Sequence, residues 1–295
     1  MEEKNYIPGN TQLVELKKIE KELNLNYKIR AKVENSNPTG SIKARTVYNM
    51  LLNYQKKYNL SECTIIEATS GNTGIALSFY ANVFKYKCVI VMPKSMSKQR
   101  RDMIAQYGAE LVLVDGGMKQ AEDKAIELQK QTTNSFIFDQ FNQASNYMAH
   151  FKTMEEILKD CPSVKYVFAG IGTGGTITGM AKYIKEHNLL IDAIGVEPAQ
   201  SPLITKGYAS PHKIQGIGAN FIPSILDLKC IASVVDVDDE QSIEYAKLLR
   251  NLEQIDCGIS SGAALLGAVS YLKNINAEGK DVVIILPDKG DRYSW

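Results

Sequence analysis

Apolar and polar positions follow two rhythms along the chain. Short runs rich in β-branched and aromatic residues, nearly continuous in apolar character, recur at Lys28–Glu34, Thr64–Glu67, Cys88–Met92, Glu110–Val114, Phe136–Asp139, Tyr166–Ala169, Ala193–Glu197, Ser233–Val237 and Val282–Leu286. Such runs predict strands buried on both faces. Between them, helical spacing marks Ser41–Lys57, Thr73–Phe84, Ser97–Tyr107, Gln120–Gln131, Tyr147–Lys159, Thr176–His187, Asp239–Gln254 and Ala263–Asn274. The βαβα order predicts an α/β fold built on parallel sheet with right-handed crossovers. Pro198–Pro223 breaks the alternation with prolines and glycines and reads as a long ordered loop, a feature that is often functional.

Composition acts mainly by exclusion. The 295 residues are 44% hydrophobic and 23% charged, enough for one large domain or two smaller ones sharing a cleft. A net charge of +1 without a basic stretch argues against a nucleic-acid partner. Cys63, Cys88, Cys161, Cys230 and Cys257 are scattered and form no C-x-x-C pair, which argues against disulfides or zinc and for a reducing, cytoplasmic setting. The three histidines do not cluster, so no metal site is expected. The polar start and the lack of any run of about 18 apolar residues predict neither a signal peptide nor a membrane span.

Four segments carry candidate chemistry, each at a junction leading into a helix, where open α/β sheets bind ligands. In Asn37-Pro38-Thr39-Gly40-Ser41-Ile42-Lys43-Ala44-Arg45, a turn leads into Ser41 as an expected N-cap, which puts Lys43 in the first helical turn. There it opposes the helix dipole by about 0.3–1 kcal/mol, which favours the neutral amine that forms a Schiff base. A solvated surface lysine is the plainer reading of this motif alone. Thr69-Ser70-Gly71-Asn72-Thr73-Gly74 brings backbone N–H groups and hydroxyls to a helix N-terminus, suiting a carboxylate or phosphate, or merely a well-capped turn. Gly170-Ile171-Gly172-Thr173-Gly174-Gly175-Thr176 is a second anion loop. It also fits G-x-G-x-x-G, with Glu197 ending a strand about 20 residues on, and so allows a dinucleotide reading. Several α/β units precede it, however, and NAD leaves the other anion loop unexplained. Gly258-Ile259-Ser260-Ser261-Gly262 fits a hydrolase nucleophile elbow, but every histidine precedes Ser260, the wrong chain order.

Taken together and in this order, the four segments resemble the cysteine synthase (O-acetylserine sulfhydrylase) family and the related catalytic core of cystathionine β-synthase. The likeness runs from about Tyr6 to Tyr293 and includes Pro93-Lys94-Ser95-Met96-Ser97, Gly195-Val196-Glu197-Pro198 and His212–Ala219. The resemblance implies a two-domain, open parallel-sheet pyridoxal-phosphate fold of the tryptophan synthase β-like type, fold type II. Residues 1–12 and 36–145 would form the N-terminal α/β domain and 13–35 with 146–295 the C-terminal one, with the cofactor cleft between them. It implies further that Lys43 is catalytic and carries pyridoxal 5′-phosphate, that Asn72 meets the ring hydroxyl, and that Gly172, Thr173, Gly174, Gly175 and Thr176 cradle the phosphate. Ser260 would face the pyridine nitrogen. Thr69, Ser70, Gly71, Thr73 and Gln140 would bind the substrate carboxylate, and Gly216 would line the substrate side.

The implied activity is β-replacement, forming L-cysteine from O-acetyl-L-serine, or a related activated serine, and sulfide through an aminoacrylate intermediate. The alternative within the family consumes cysteine and releases hydrogen sulfide; a NAD-dependent dehydrogenase is the alternative outside it. Partners are expected to be an amino acid with sulfide or a thiol, and a second copy of the chain in a homodimer. Family analogy adds serine acetyltransferase. The chain departs from the family pattern at Ala44, where an acid is common, at Gln12, at Gln143-Ala144-Ser145-Asn146-Tyr147, and in ending at Trp295.

Overall fold

The computed structural model describes residues 6–275 and 277–293. In chain order it forms Gln12–Glu15 (β1), Lys17–Glu22 (α1), Lys28–Val33 (β2), Lys43–Gln55 (α2), Thr64–Ala68 (β3), Asn72–Phe84 (α3), Lys87–Pro93 (β4), Lys98–Gln106 (α4), Glu110–Val114 (β5), Met118–Gln131 (α5) and Ser135–Ile137 (β6). There follow Ala144–Asp160 (α6), Val164–Gly170 (β7), Gly175–Glu186 (α7), Asp192–Pro198 (β8), Leu203–Lys206 (α8), Ser233–Val237 (β9), Asp239–Glu253 (α9), Ile259–Leu272 (α10) and Asp281–Leu286 (β10). These divide into two compact units. One is Lys43–Gln140 with the segment up to Pro8; the other is Gly9–Ile42 with the chain from Phe141 onward. The chain thus passes from one unit to the other after Pro8, Ile42 and Gln140, where the sequence expectation had placed the changes after residues 12, 35 and 145.

The first unit holds a four-stranded, wholly parallel sheet in the order β5-β4-β3-β6. Helices cover both faces, as buried parallel strands require. Ile66, Val89 and Val91 pack with Ala121 and Ala125 of α5 on one side. Ile65, Ile90 and Met92 pack with Val47, Leu51, Ile75 and Ile104 of α2, α3 and α4 on the other. Each side chain fully buried in this way contributes roughly 1.5–3 kcal/mol.

The second unit holds a six-stranded sheet in the order β1-β2-β10-β7-β8-β9. Every residue of β10 is buried, because it pairs in parallel with β2 and β7 and has helices on both faces. The sheet is mixed rather than purely parallel, since β1 runs antiparallel to β2. The sequence reading misses β1: it is four residues long and only Leu13 and Val14 are apolar, too little for a period to emerge. It also misses α1, which buries Ile19 alone, and α8, a single turn after Pro202. Bounds also shift: α6 begins at Ala144 rather than Tyr147, β6 ends at Ile137 rather than Asp139, and α10 starts at Ile259 rather than Ala263. Gly262 argues locally against helix, yet its missing side chain is what the packing uses. A Cβ there would lie 2.0 Å from the carbonyl oxygen of Ser242 on α9. Close helix contact overrides the weak propensity.

Candidate active site

Lys43 is the first residue of α2 and is half-buried. The turn before it has two successive left-handed residues, Thr39 (φ 67°) and Gly40 (φ 69°). A β-branched residue rarely adopts that conformation, so its surroundings must hold it there. The hold is visible: Arg292 donates to the Thr39 carbonyl, Lys289 N–H donates to Gly40 O at 3.3 Å, and Ile42 N–H donates to Pro287 O at 2.7 Å. Ser41 is not the N-cap. It lies in extended backbone bridged to Asp288, and its buried hydroxyl makes no hydrogen bond with any described residue. Pairing with the Pro287–Arg292 segment took precedence over local capping. Ala44 is fully buried in the core between α2 and the sheet, where an acid would lose its hydration.

Thr69–Gly74 connects β3 to α3, with Gly71 as N-cap and Asn72 and Thr73 opening the helix. The amides of Ser70 and Thr73 donate to nothing among the described residues and lie at the positive end of the helix. Thr73 donates its hydroxyl proton to Gln140 Oε1 at 2.6 Å, so the structure brings these two expected residues together. Gln140 Nε2 in turn donates to Glu67 Oε1 at 2.9 Å, and Asp139 N–H donates to Glu67 Oε2 at 3.1 Å. Burial pushes the Glu67 carboxyl up to about 8 against the pull of these donors. Glu67 stands near the end of an apolar strand like an ordinary boundary residue, so the sequence alone does not single it out.

The second anion loop begins at the end of β7 and runs into α7, with Gly174 as a left-handed N-cap (φ 79°). Its glycines are required by close approach. A Cβ on Gly172 would meet the carbonyl oxygen of Gly216 at 2.3 Å, and one on Gly175 would meet Asn146 Oδ1 at 2.0 Å. Thr173 is fixed by Asn146 Nδ2, which donates to its Oγ1 at 3.2 Å, while Thr176 Oγ1 lies 3.4 Å from His150 Nε2. Asn146 and His150 were not expected here. Nothing in a single sequence marks them, since both lie on α6 and reach the loop only through helix packing. The amides of Gly172, Thr173, Gly174 and Thr176 donate to no acceptor among the described residues. That cradle of converging N–H groups and hydroxyls fits a phosphate monoester. Gly216, with φ 92°, is exposed beside Gly172.

Ser260 lies in the first turn of α10, buried, and its hydroxyl donates to and accepts from no described residue. The segment before it is irregular chain after α9, not a strand, so the nucleophile-elbow geometry is absent. Glu197 accepts from Ile204 N, Thr205 N and Thr205 Oγ1 and so caps α8, which leaves it engaged rather than presented to a ribose.

The profile of the family described as "Pyridoxal-phosphate dependent enzyme" matches residues 5–288. The cysteine synthase of Buchnera aphidicola subsp. Schizaphis graminum is 42% identical over 99% of this chain and 94% of its own. The chain belongs to the cysteine synthase branch of the pyridoxal-phosphate-dependent enzymes. Among solved structures, O-acetylserine sulfhydrylase isoform 3 of Entamoeba histolytica superposes with a TM-score of 0.93 at 37% identity, covering 98% of this chain and 88% of that one. A hydrogen sulfide-producing enzyme of Fusobacterium nucleatum superposes with a TM-score of 0.92 at 40% identity, covering 97% and 95%. Membership fixes the cofactor as pyridoxal phosphate and the fold as that of this family, and it removes the dinucleotide reading of the glycine loop. No described helix is long and apolar enough to cross a membrane.

Proposed function

We propose that this enzyme forms L-cysteine from O-acetyl-L-serine, or a related activated serine, and sulfide. The observation that carries the reading is the pair of separate anion loops, each at a helix N-terminus with open amides, in a chain that also presents a lysine at the head of α2. A cofactor phosphate and an amino-acid carboxylate need two such places. Gly172–Thr176 would hold the cofactor's phosphate, Ser260 its pyridine nitrogen, Asn72 its ring hydroxyl and Lys43 its aldehyde carbon. Thr69, Ser70, Gly71, Thr73 and Gln140 hold the substrate carboxylate, and Gly216 borders the substrate.

Pyridoxal phosphate supplies an electron sink for the pair left when the α-proton departs, which lets the β-substituent leave. The chain's own part is binding and proton transfer. Lys43 would hold the cofactor, and its Nζ is the group that would take the substrate α-proton as general base. Ser260 offers a hydroxyl rather than a carboxylate and so would give the pyridine nitrogen no anionic partner, which would temper the sink and disfavour transamination. The five cysteines are free thiols, in keeping with a cytoplasmic enzyme. By analogy with the family alone, the chain would pair with a second copy of itself and take serine acetyltransferase as a further partner.

A second reading reverses the sulfur flow, with cysteine as donor and hydrogen sulfide as product; the 40% identical Fusobacterium enzyme supports it. Initial rates with O-acetylserine, O-phosphoserine, serine and cysteine, each with and without sulfide, separate the two. O-acetylserine with sulfide is expected to be fastest. Faster sulfide release from cysteine alone overturns the first reading in favour of the second.

A further inference from the structure

Glu67, fourth residue of β3, has no role in the reading above. It is 3% exposed, and no described cation pairs with it. Burying a carboxyl without a counter-charge is costly, so its surroundings must make use of it or satisfy it. Asp139 is left-handed, at φ 58°, and that turn aims both its own N–H and the Gln140 side chain at the two Glu67 oxygens. Beyond Gln140 lies Thr73, at the N-terminus of α3. Carboxyl, amide and hydroxyl form one chain of hydrogen bonds with a direction.

We propose that Glu67 is a positioning residue which, through Gln140, sets the direction of the Thr73 hydroxyl proton and so the strength of the carboxylate site. This rests on the reading that Thr69–Thr73 and Gln140 bind the amino-acid carboxylate. An ionised Glu67 only accepts. Gln140 Nε2 must then face it, Gln140 Oε1 faces Thr73, and the Thr73 proton is committed to Gln140, as observed. Thr73 can then offer a substrate carboxylate only lone pairs. A protonated Glu67 can donate to Gln140 Oε1 with the amide turned over. Gln140 Nε2 then donates to Thr73 Oγ1, and the Thr73 O–H is released to donate to the carboxylate. The proton taken up by Glu67 comes from solvent, and no covalent bond other than its own O–H changes.

The direction of the pH effect follows. Burial raises Glu67 to about 8, so the donating arrangement prevails below that pH and fades above it, where a buried anion also repels the substrate. Asp139 after β6, Cys88 on β4 and Tyr54 on α2 are the titratable groups facing Glu67. Burial pushes Cys88 and Tyr54 upward, out of the range tested.

The test uses the holoenzyme and reads dissociation constants of L-serine and L-serinamide from the absorption of the bound cofactor, from about pH 6.5 to about 9.5. Wild type, Glu67→Gln and Thr73→Val are compared, so that the titration of the ligand amine cancels in the ratios. Wild-type affinity for L-serine, relative to Glu67→Gln, is expected to weaken about tenfold as pH rises through 8, the scale of one charge-assisted hydrogen bond. L-serinamide is expected to show no such change. The advantage of wild type over Thr73→Val should vanish over the same range, and this comparison decides if Glu67→Gln does not fold. Ratios flat with pH, with L-serine still bound far better than L-serinamide, overturn the role of Glu67 and leave the carboxylate site standing. Equal binding of the two ligands by wild type overturns the carboxylate site itself.

Discussion

Lys43 occupies a position that a positive charge disfavours, at the head of a helix after a strained turn held by Arg292, Lys289 and Pro287. Lys43→Ala is expected to abolish the cofactor's long-wavelength absorption and the mass adduct on borohydride reduction. Turnover should fall about 10²- to 10⁴-fold, the usual worth of a positioned general base. Retention of the adduct would move the covalent site elsewhere. Glu67 makes a separate prediction about stability. Its value of about 8 in the folded chain lies above the ordinary 4.5 of a free glutamate, so between those pH values the native state holds more protons than the unfolded one. Its contribution is therefore favourable at low pH and is lost as pH rises to about 8. Glu67→Gln should stabilise the fold relative to wild type more at pH 8 than at pH 5, by an amount on the order of a few kcal/mol, read from denaturant unfolding at the two pH values. An equal change at both would show that Glu67 does not titrate in this window.

At the scale of elements, both anion loops depend on the turn from strand to helix. β3 and β7 end, glycine lets the chain reverse closely, and α3 and α7 begin with amides that their own turns cannot use. In the second loop the glycines act by what they leave out, since the Gly216 carbonyl and Asn146 occupy the space a Cβ would take. Gly172→Ala is expected to displace backbone rather than a flexible side chain. The cost should be roughly 1–3 kcal/mol of stability, with cofactor affinity lowered at least about tenfold. Equilibrium titration of the apoprotein with pyridoxal phosphate checks this, and unchanged affinity would remove Gly172 from the cradle. These loops were readable in sequence because glycine, serine and threonine cluster so densely in them. Their supports were not: Asn146 and His150 belong to a helix whose pattern registers only as amphipathic.

For the whole molecule, cofactor binding should add to fold stability by mass action, because only the folded chain brings its loops into shape. At free cofactor about 100 times the dissociation constant this amounts to about 2.7 kcal/mol, or a rise of roughly 4 °C in melting temperature over the apoprotein. A melting temperature independent of cofactor concentration would contradict a preformed site. Sequence alone determined the α/β class, most of the strands and helices, and the glycine- and hydroxyl-rich loops that carry the candidate site. These follow from short-range causes: the period of apolar positions, the conformational demands of glycine, and hydroxyl-rich turns at helix starts. Tertiary structure decided the rest. It made β1 a strand by giving it β2 to pair with, and it placed the start of α10 where Gly262 lets α9 approach. It withdrew Ser41 from capping to bridge Asp288, and it brought Gln140 to Glu67 and Thr73, which lie far before it in the chain. Each of these is a contact between distant residues, whose free energy depends on burial and on which partner is within reach, and neither quantity is written in the local order of amino acids.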